Sequence, residues 1–464
     1  MPKALRISIP SIPAGTNVPK LHPYVVQEAA ERVAEVLSKQ RQNRSKTLIL
    51  TGAGISVDSG IAPYRGEGGH YTIHKSYRPI YYAEFSAPDK EGHRARQRYW
   101  NRSFLGFPPV RYARPNPAHM AIAAMQRLGY VPEYITQNVD SLHHSATPSP
   151  SLAAQTILEL HGTLSHVVCI ASPPEYTASL SPSRPAPPPL DPAFYDTLRS
   201  YPPPPPLPGF SPVGPHQHDS TSSAELPFRP PPDPLEYNTP SGKSAYPLGC
   251  GFRGSRAAMQ DELGRLNPRW EEYGRELMLG RAAAAHGEGG EDATGQRRQP
   301  KMNPDGDVDL GDGVDYASFK YPPCPNCGGV LKPAVIFFGE TVPTLLKDRA
   351  TRLVEQSSAM LVVGSSLATY SAFRLIKQAL DTGNNEEKRR AARDLLVLNI
   401  GPTRADPLLS DRAKIELGSS EVLSLAARLL AGGREKDDPV LRRLLEGGEI
   451  VRRTANAASK VVSS

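Results

Sequence analysis

The sequence predicts an α/β protein: an open parallel sheet with helices on both faces, interrupted by a small cysteine-bearing module. Three observations carry that prediction. Short, nearly continuous apolar runs recur at residues 47–50, 360–363 and 395–398, and such runs suit strands buried on both faces. Stretches with helical periodicity lie between them. Each run ends in small or polar residues, and ligands of open parallel sheets bind beyond the carboxyl ends of the strands.

The elements follow in order. Pro23 suits the first turn of a helix whose apolar face carries Val26, Ala29, Ala30, Val33, Val36 and Leu37. Residues 47–50 form a strand that delivers Gly52-Ala53-Gly54 to a turn. Glycines there let the backbone turn tightly and bring its N–H groups close to a pyrophosphate. A G-x-G lacking the third glycine of the hydride-transfer fingerprint is equally the tight turn after any buried strand, so the rest of the chain has to decide. A polar, aromatic segment runs to about Pro117, and residues 118–128 read as a helix. Tyr134-Ile135-Thr136 then ends a strand at Gln137-Asn138-Val139-Asp140, and a short apolar run at 157–160 leads to His161-Gly162. Further on, Val335-Ile-Phe-Phe338, Met360-Leu-Val-Val363 and Leu395-Leu-Val-Leu398 read as parallel strands, with helices around 353–355 and 373–380. The tail after Gly432 is charged and ends in frayed helix.

Composition bounds the function. The 464 residues suggest about three domains. The 49 prolines are far above the usual ~5 %. About half of them fall in residues 170–249, a composition that favours solvated polyproline conformations over a packed core. A second polar stretch, roughly 280–300, reads as another excursion. The net charge of +7 is mild for this length and the basic residues are scattered, so a nucleic-acid partner is not indicated. No apolar run approaches the ~20 residues needed to span a bilayer, which argues against a membrane protein. The first 27 residues contain Lys3, Arg6 and Lys20 and no acidic side chain. That start is acid-poor, as a mitochondrial presequence requires, but rich in proline.

Four clusters lie at the predicted strand ends: Gly52-Ala-Gly54, Gln137-Asn-Val-Asp140, Gly364-Ser365-Ser366 and Asn399-Ile400-Gly401. With Thr51-Gly-Ala-Gly-Ile-Ser56, Glu159-Leu-His-Gly162, Leu331-Lys-Pro-Ala-Val-Ile-Phe-Phe-Gly-Glu340 and Val363-Gly-Ser-Ser-Leu367, they make the chain resemble the sirtuins, NAD-dependent protein deacylases. Arg96-Gln-Arg-Tyr-Trp100, Pro115-Asn-Pro-Ala-His119, Leu266-Asn-Pro-Arg-Trp270, Pro304-Asp-Gly-Asp307 and Leu398-Asn-Ile-Gly-Pro-Thr-Arg404 point to class II, the mitochondrial sirtuin-four-type branch. The resemblance covers roughly residues 22–430 outside the two excursions. It implies a Rossmann-like parallel sheet with helices on both faces plus a small zinc-binding module. The resulting organisation is a leader at 1–22, Rossmann-like segments at 23–165 and 333–432, the interrupted zinc module at 166–332 and a charged tail at 433–464. A mitochondrial matrix location also follows from the resemblance.

The chemistry implied is cleavage of NAD, as co-substrate, at the nicotinamide–ribose bond and transfer of an acyl group from a protein lysine to ADP-ribose. Gly52, Ala53, Gly54, Ser56, Gly364, Ser365, Ser366, Asn399, Ile400, Gly401 and Ser419 would line the cofactor. Gln137 and Asn138 would hold the ribose, and Asp140 with the backbone near Val139 the carboxamide. Tyr64 would cover the nicotinamide site, and Arg65 suits a phosphate. His161 would be the general base on a ribose hydroxyl, a role an imidazole with an unperturbed pKa near ~6.5 can fill; Asn138 is the second catalytic candidate. His143 and His144 receive no catalytic role. The Phe338-Gly-Glu340 region matches the segment that pairs with an acyl-lysine substrate as an added strand. Ala62-Pro63 replaces the usual Pro-Asp before the aromatic-Arg pair, which removes a carboxylate near the nicotinamide pocket. No Tyr-x-x-Arg pair for acidic acyl groups is evident, which points away from succinyl-lysine.

The resemblance also implies a structural zinc on two Cys-x-x-Cys pairs. Cys324 and Cys327 are the second pair. Cys169 opens the first, but Ser172 stands three residues later, and Cys250 takes the missing place beyond the proline-rich stretch. Cys169, Cys250, Cys324 and Cys327 are the only cysteines, and four thiolates close a tetrahedral site with no position for catalytic water. An incidental thiol at Cys250, with a damaged site, is the alternative. Two other functions stay open: protein mono-ADP-ribosyl transfer from the same pocket, and an inactive NAD-binding scaffold whose proline-rich insertion docks SH3- or WW-like partners.

Overall fold

The computed structural model describes residues 24–65, 69, 79–170, 252–278, 316–325, 328–380, 394–410 and 412–451. Helix α1 (Val26–Gln42) buries Ala29, Ala30, Val33, Val36 and Leu37 on one stripe, as three- and four-residue spacing requires. Strand β1 (Lys46–Thr51) follows and runs into a 3-10 segment, Ala53–Ser59. Then come α2 (Tyr82–Ser86), α3 (Lys90–Tyr112) and α4 (Pro117–Arg127). Asn116 caps α4 by accepting from the amides of Ala118 and His119, and Pro117 occupies its first turn. Strand β2 (Tyr134–Thr136), the short helices α5 (Leu142–Ala146) and α6 (Pro150–Thr156), and β3 (Ile157–Glu159) complete the first half.

Strand β4 (Gly162–Cys169) leaves the main sheet after only two linking residues. It pairs antiparallel with β5 (Arg253–Ser255), which leads to α7 (Arg256–Leu266) and α8 (Pro268–Met278), and with β6 (Leu331–Val335). The chain departs at Ile170 and returns at Phe252 beside itself, because Cys169 N–H donates to Phe252 O over 3.1 Å. The main sheet then resumes through α9 (Thr344–Glu355), β7 (Ser357–Val363), α10 (Tyr370–Leu380), β8 (Asp394–Leu398), β9 (Lys414–Ile415), α11 (Ser419–Ala431) and α12 (Pro439–Glu446).

Six parallel strands lie in the order β3-β2-β1-β7-β8-β9. Renumbered by appearance this is 3-2-1-4-5-6, the doubly wound order, and its direction reverses between β1 and β7. Strand side chains alternate between two cores. Ile49, Leu361, Val363, Leu396 and Leu398 face α1, α4, α11 and α12, whereas Leu48, Leu50, Met360, Val362 and Val397 face α9 and α10. The three-stranded sheet has a core of its own with α3 and α7, in which Trp100, Phe104, Val167, Met259, Leu263, Phe319 and Leu331 are buried.

Three expectations change. Residues 335–338 are not a parallel strand of the main sheet: β6 ends at Val335 and pairs antiparallel with β4. A continuous apolar run reports burial on both faces and says nothing about the direction of its neighbour. The segment after Gly432 is more than a charged tail, for α12 buries Leu441, Leu444 and Leu445 against the first core and is capped by Asp438. Burial of three leucines stabilises by roughly 1.5–3 kcal/mol each, enough to hold an eight-residue helix in place. The polar segment before Pro117 is largely the long helix α3. The excursions at 170–249 and about 280–300 lie outside the described residues, apart from Ile170 at the end of β4. Among the described residues, no helix is long and apolar enough to cross a membrane.

Candidate active site

The two loops at the sheet reversal touch backbone to backbone. Gly52 N–H donates to Val363 O (3.0 Å), and Gly54 N–H to Gly364 O (2.7 Å). A Cβ on Gly54 would stand 2.8 Å from Gly364 Cα, and one on Gly364, at φ 60°, would stand 2.4 Å from Ile55 N. These glycines are required first by the fit of one strand end against its neighbour. Ala53 opens the 3-10 segment, and Asn116 Nδ2 holds that segment by donating to Ile55 O (2.7 Å).

Ser56 is a hub. Asn138 Nδ2 donates to its Oγ (3.0 Å), its Oγ donates to Asp140 Oδ2 (2.7 Å), and His119 Nε2 lies 3.4 Å away. Asp140 also accepts from Leu142 N–H (3.0 Å), in a turn that places Ser141 at φ 58°. Burial raises the Asp140 pKa above the usual carboxylate value, opposed by those hydrogen bonds and by the nearby His144. One layer below, Thr51 Oγ1 donates to Thr136 Oγ1 (2.8 Å), which accepts from Asn138 N–H (3.1 Å). Thr51 has a single hydroxyl proton, so His143 Nε2, 2.9 Å away, is the donor to it. His143 is buried 1 % exposed inside this network, a structural position.

His161 sits in the two-residue link between β3 and β4, where the chain passes from one sheet to the other. Its carbonyl accepts from Ile336 N–H (2.8 Å), and its Nδ1 lies 3.2 Å from Gln137 O. A carbonyl can only accept, so Nδ1 carries the proton and Nε2 presents a lone pair. Ser371 Oγ, at the start of α10, is 2.7 Å from that lone pair. Burial lowers the His161 pKa to about 4, with the Gln137 carbonyl opposing, so the ring is neutral at physiological pH. Gln137 also donates from Nε2 to Ser365 Oγ (2.7 Å), which ties the ends of β2 and β7.

The remaining predicted residues also stand beyond strand ends. Val139 is buried and its carbonyl accepts from Leu164 N–H (2.9 Å). Tyr64 and Arg65 follow the 3-10 segment, half-buried. Ser366 O accepts from Arg404 N–H (2.9 Å). Asn399 closes its own turn, donating to Ile400 O (3.0 Å) and Gly401 O (3.1 Å), and leaves Ile400 71 % exposed. Ser419 begins α11, whose next residue, Ser420, donates to Asp58 Oδ2 (2.5 Å). Thus one rim gathers the ends of β1, β2, β3, β7 and β8 with the start of α11.

Sequence reasoning missed several supports. Ser371 carries no local signal, lying 210 residues from His161. Lys414 Nζ reaches Asp406 Oδ2 (2.7 Å) and Gly401 O (3.0 Å), which braces the loop after β8. Beneath the region expected to receive a peptide, Lys332 Nζ pairs with Glu340 Oε2 (3.1 Å), both side chains shut from solvent. Glu340 in turn accepts from Phe337 N–H (2.8 Å), and Phe338 O accepts from Tyr82 N–H (2.9 Å). One sequence reading needs correcting: Tyr99 and Arg102 of α3 do carry the Tyr-x-x-Arg spacing. Both are buried, and Tyr99 packs on Phe337 with ring centroids 5.0 Å apart, so the sequence does not point away from acidic acyl groups.

Cys169 and Cys324 are both buried beside the β4–β6 pairing. Cys324 lies in a tight turn, its N–H donating to Gly329 O (2.7 Å) and its carbonyl accepting from Gly328 N–H (2.8 Å), with Gly328 at φ 71°. Cys250 and Cys327 lie outside the described residues, and no group of three metal-binding side chains is gathered among the described ones.

The Sir2 family model matches residues 52–189 and 298–371. The chain is similar to the "NAD-dependent protein deacylase SIR4" of Batrachochytrium dendrobatidis, 33 % identical over 401 residues that span 86 % of this chain and 93 % of that one. It is 31 % identical to the "NAD-dependent protein lipoamidase sirtuin-4, mitochondrial" of Bos taurus over 88 % of this chain and 87 % of the relative. A chain from a structure described as "Structural Basis for the Mechanism and Regulation of Sir2 Enzymes" overlaps 88 % of it at 22 % identity and a TM-score of 0.45.

Proposed function

The chain belongs to the Sir2, or sirtuin, family, and from that premise we propose that it is an NAD-dependent protein lysine deacylase with His161 as its general base. NAD supplies the electrophilic ribose carbon and accepts the acyl group. The observation that carries the reading is the His161 imidazole: neutral, with Nδ1–H held by Gln137 O and the Nε2 lone pair facing only the Ser371 hydroxyl, at the rim where the β1, β2 and β7 loops meet. Such a ring takes a proton from a substrate hydroxyl without first having to lose one.

The other residues divide the work around it. The glycine turn at residues 52–54 and the Gly364-Ser365-Ser366 turn border the phosphates, aided by Arg65; the Gly52 and Gly54 amides, bonded to Val363 O and Gly364 O, shape that border rather than donate to the ligand. Gln137 and Asn138 orient the ribose, with Asn138 fixed through Ser56, and Asp140 receives the carboxamide. Tyr64 limits water entry. An acyl-lysine peptide adds as a strand along residues 336–340, where main-chain hydrogen bonds tolerate varied sequences.

One structural zinc on Cys169, Cys250, Cys324 and Cys327 belongs to the same proposal. The buried Cys169 and Cys324, set beside one β-pairing and a tight turn, fit the thiolate chemistry of such a site. The ion would fix the small sheet and take no part in acyl transfer. A mitochondrial matrix location belongs to the proposal as well; the bovine relative's designation as mitochondrial supports the organelle.

The test is an assay of purified full-length protein with NAD and a panel of acyl-lysine peptides, acetyl, lipoyl and succinyl among them. Nicotinamide release should require an acylated peptide and fall at least about 100-fold in His161→Ala, the usual scale for loss of a general base. Label transferred from NAD to protein would favour mono-ADP-ribosylation; no release with any peptide would leave the scaffold reading.

A further inference from the structure

The Nε2 lone pair of His161 is already engaged. Neutral imidazole accepts at one nitrogen only, and with Nδ1–H committed to Gln137 O that acceptor is Nε2. Ser371 Oγ stands 2.7 Å from it. The hydroxyl lies in the first turn of α10, whose Ala372, Leu375 and Ile376 are fully buried in the second core. That anchoring fixes the backbone and leaves only the side-chain rotor free to move. Two residues earlier, Thr369 Oγ1 approaches Gln137 Oε1 (3.5 Å). The start of α10 therefore braces the base and the residue that sets its tautomer.

We propose that Ser371 is a positioning residue for His161. Its hydroxyl holds the imidazole in the base-competent orientation and yields Nε2 to the substrate hydroxyl. A hydroxyl suits both stages, because it can donate to a bare nitrogen and, after turning, accept from N–H. In the exchange, the substrate O–H bond breaks, the Nε2–H bond forms, and Ser371 neither gains nor loses a proton overall. Alanine would leave Nε2 without a partner and the ring free to rotate; threonine would restore the oxygen at the same place. The proposal rests on the reading of His161 as base.

The experiment has two independent arms. In the first, full-length protein labelled with ¹⁵N-histidine is studied by imidazole nitrogen NMR without substrate, the His161 signals being assigned by their loss in His161→Gln. Wild type should show one tautomer, with a hydrogen-bonded Nε2. Ser371→Ala should move the Nε2 resonance toward that of an unbonded nitrogen or mix the tautomers, and Ser371→Thr should restore it. In the second arm, Ser371→Ala should lower kcat about tenfold while leaving KM for NAD within about twofold, with Ser371→Thr recovering most of the rate, the modest part of a general base's worth that orientation controls. Unchanged His161 resonances in Ser371→Ala overturn the proposal, as does a rise in kcat, which would make the hydroxyl a mere competitor. If the wild type lacks deacylase activity while the resonances respond as described, the functional reading fails and the contact between the two residues stands.

Discussion

Gly54→Ala tests whether the fit between the β1 and β7 loops supports cofactor binding. The added Cβ would stand 2.8 Å from both Gly364 Cα and Gly364 O. Ordinary carbon–carbon contact starts about 0.6 Å farther out, and the opposing atoms are backbone, which cannot rotate away. Gly364 is itself pinned at φ 60° with its N–H bonded to Leu398 O (2.9 Å), so the loops must part. Overpacking of this kind costs about 1–3 kcal/mol, and loss of the 2.7 Å Gly54–Gly364 hydrogen bond adds about 1 kcal/mol. The total of about 2–4 kcal/mol should lower Tm by roughly 5–15 °C at the usual ~2–4 °C per kcal/mol. Parting the loops also displaces Ser365 from Gln137, so KM for NAD should rise at least about tenfold. Differential scanning calorimetry and an NAD titration of steady-state rates measure both effects. A Tm within 1 °C of wild type, together with an unchanged KM, would refute the reasoning.

Two further outcomes follow from buried groups and a third from the proposed zinc site. Lys332→Met leaves the buried Glu340 without its cationic partner, so urea unfolding should show a loss of about 3–5 kcal/mol, most of it recovered in Lys332→Met/Glu340→Gln. His119 is fully buried with its pKa lowered to about 3, so the unfolded chain binds its proton first as pH falls below ~6.5. Stability is therefore lost between pH ~6.5 and 3, by about 2 kcal/mol at pH 5 from this residue alone; His119→Gln should flatten the fall in unfolding free energy between pH 7 and pH 5. Cys250→Ser should lose the proposed zinc and destabilise the small sheet, and metal analysis finding one zinc per chain in that variant would exclude Cys250 as a ligand.

Much of the main sheet could be read in the sequence because its strands are buried on both faces and its helices on one. The stripe on α1 and the residues at the ends of β1, β2, β7 and β8 are local patterns, and they fall at one rim of the fold. Helix α3 shows where such reading stops. It buries Arg96, Gln97, Asn101 and Arg102, and Arg96 is satisfied by the carbonyls of Phe85 and Ala87 and the hydroxyl of Tyr321. Hydrophobic periodicity is blind to a helix that buries polar groups against distant partners. The direction of β6 and the contact of Ser371 with His161 fail for the same reason, since both are decided by what lies opposite in space. The glycine turn gained a second meaning: its lack of side chains answers to Gly364 before it answers to any ligand.

The two-residue link that carries His161 has a mechanical consequence. Strand β3 belongs to the parallel sheet and β4 to the small one, and Ile336, at the exit of β6, bonds back to the His161 carbonyl. No slack separates the sheets at this point. A load on residues 336–340 thus reaches the backbone of His161 itself, so that segment and the imidazole share one lever arm. The eight residues of β4 carry the opposite end of that lever about 25 Å away, at ~3.3 Å per residue. The described residues break off one residue beyond β4, at Ile170, at the end of that strand farthest from the imidazole.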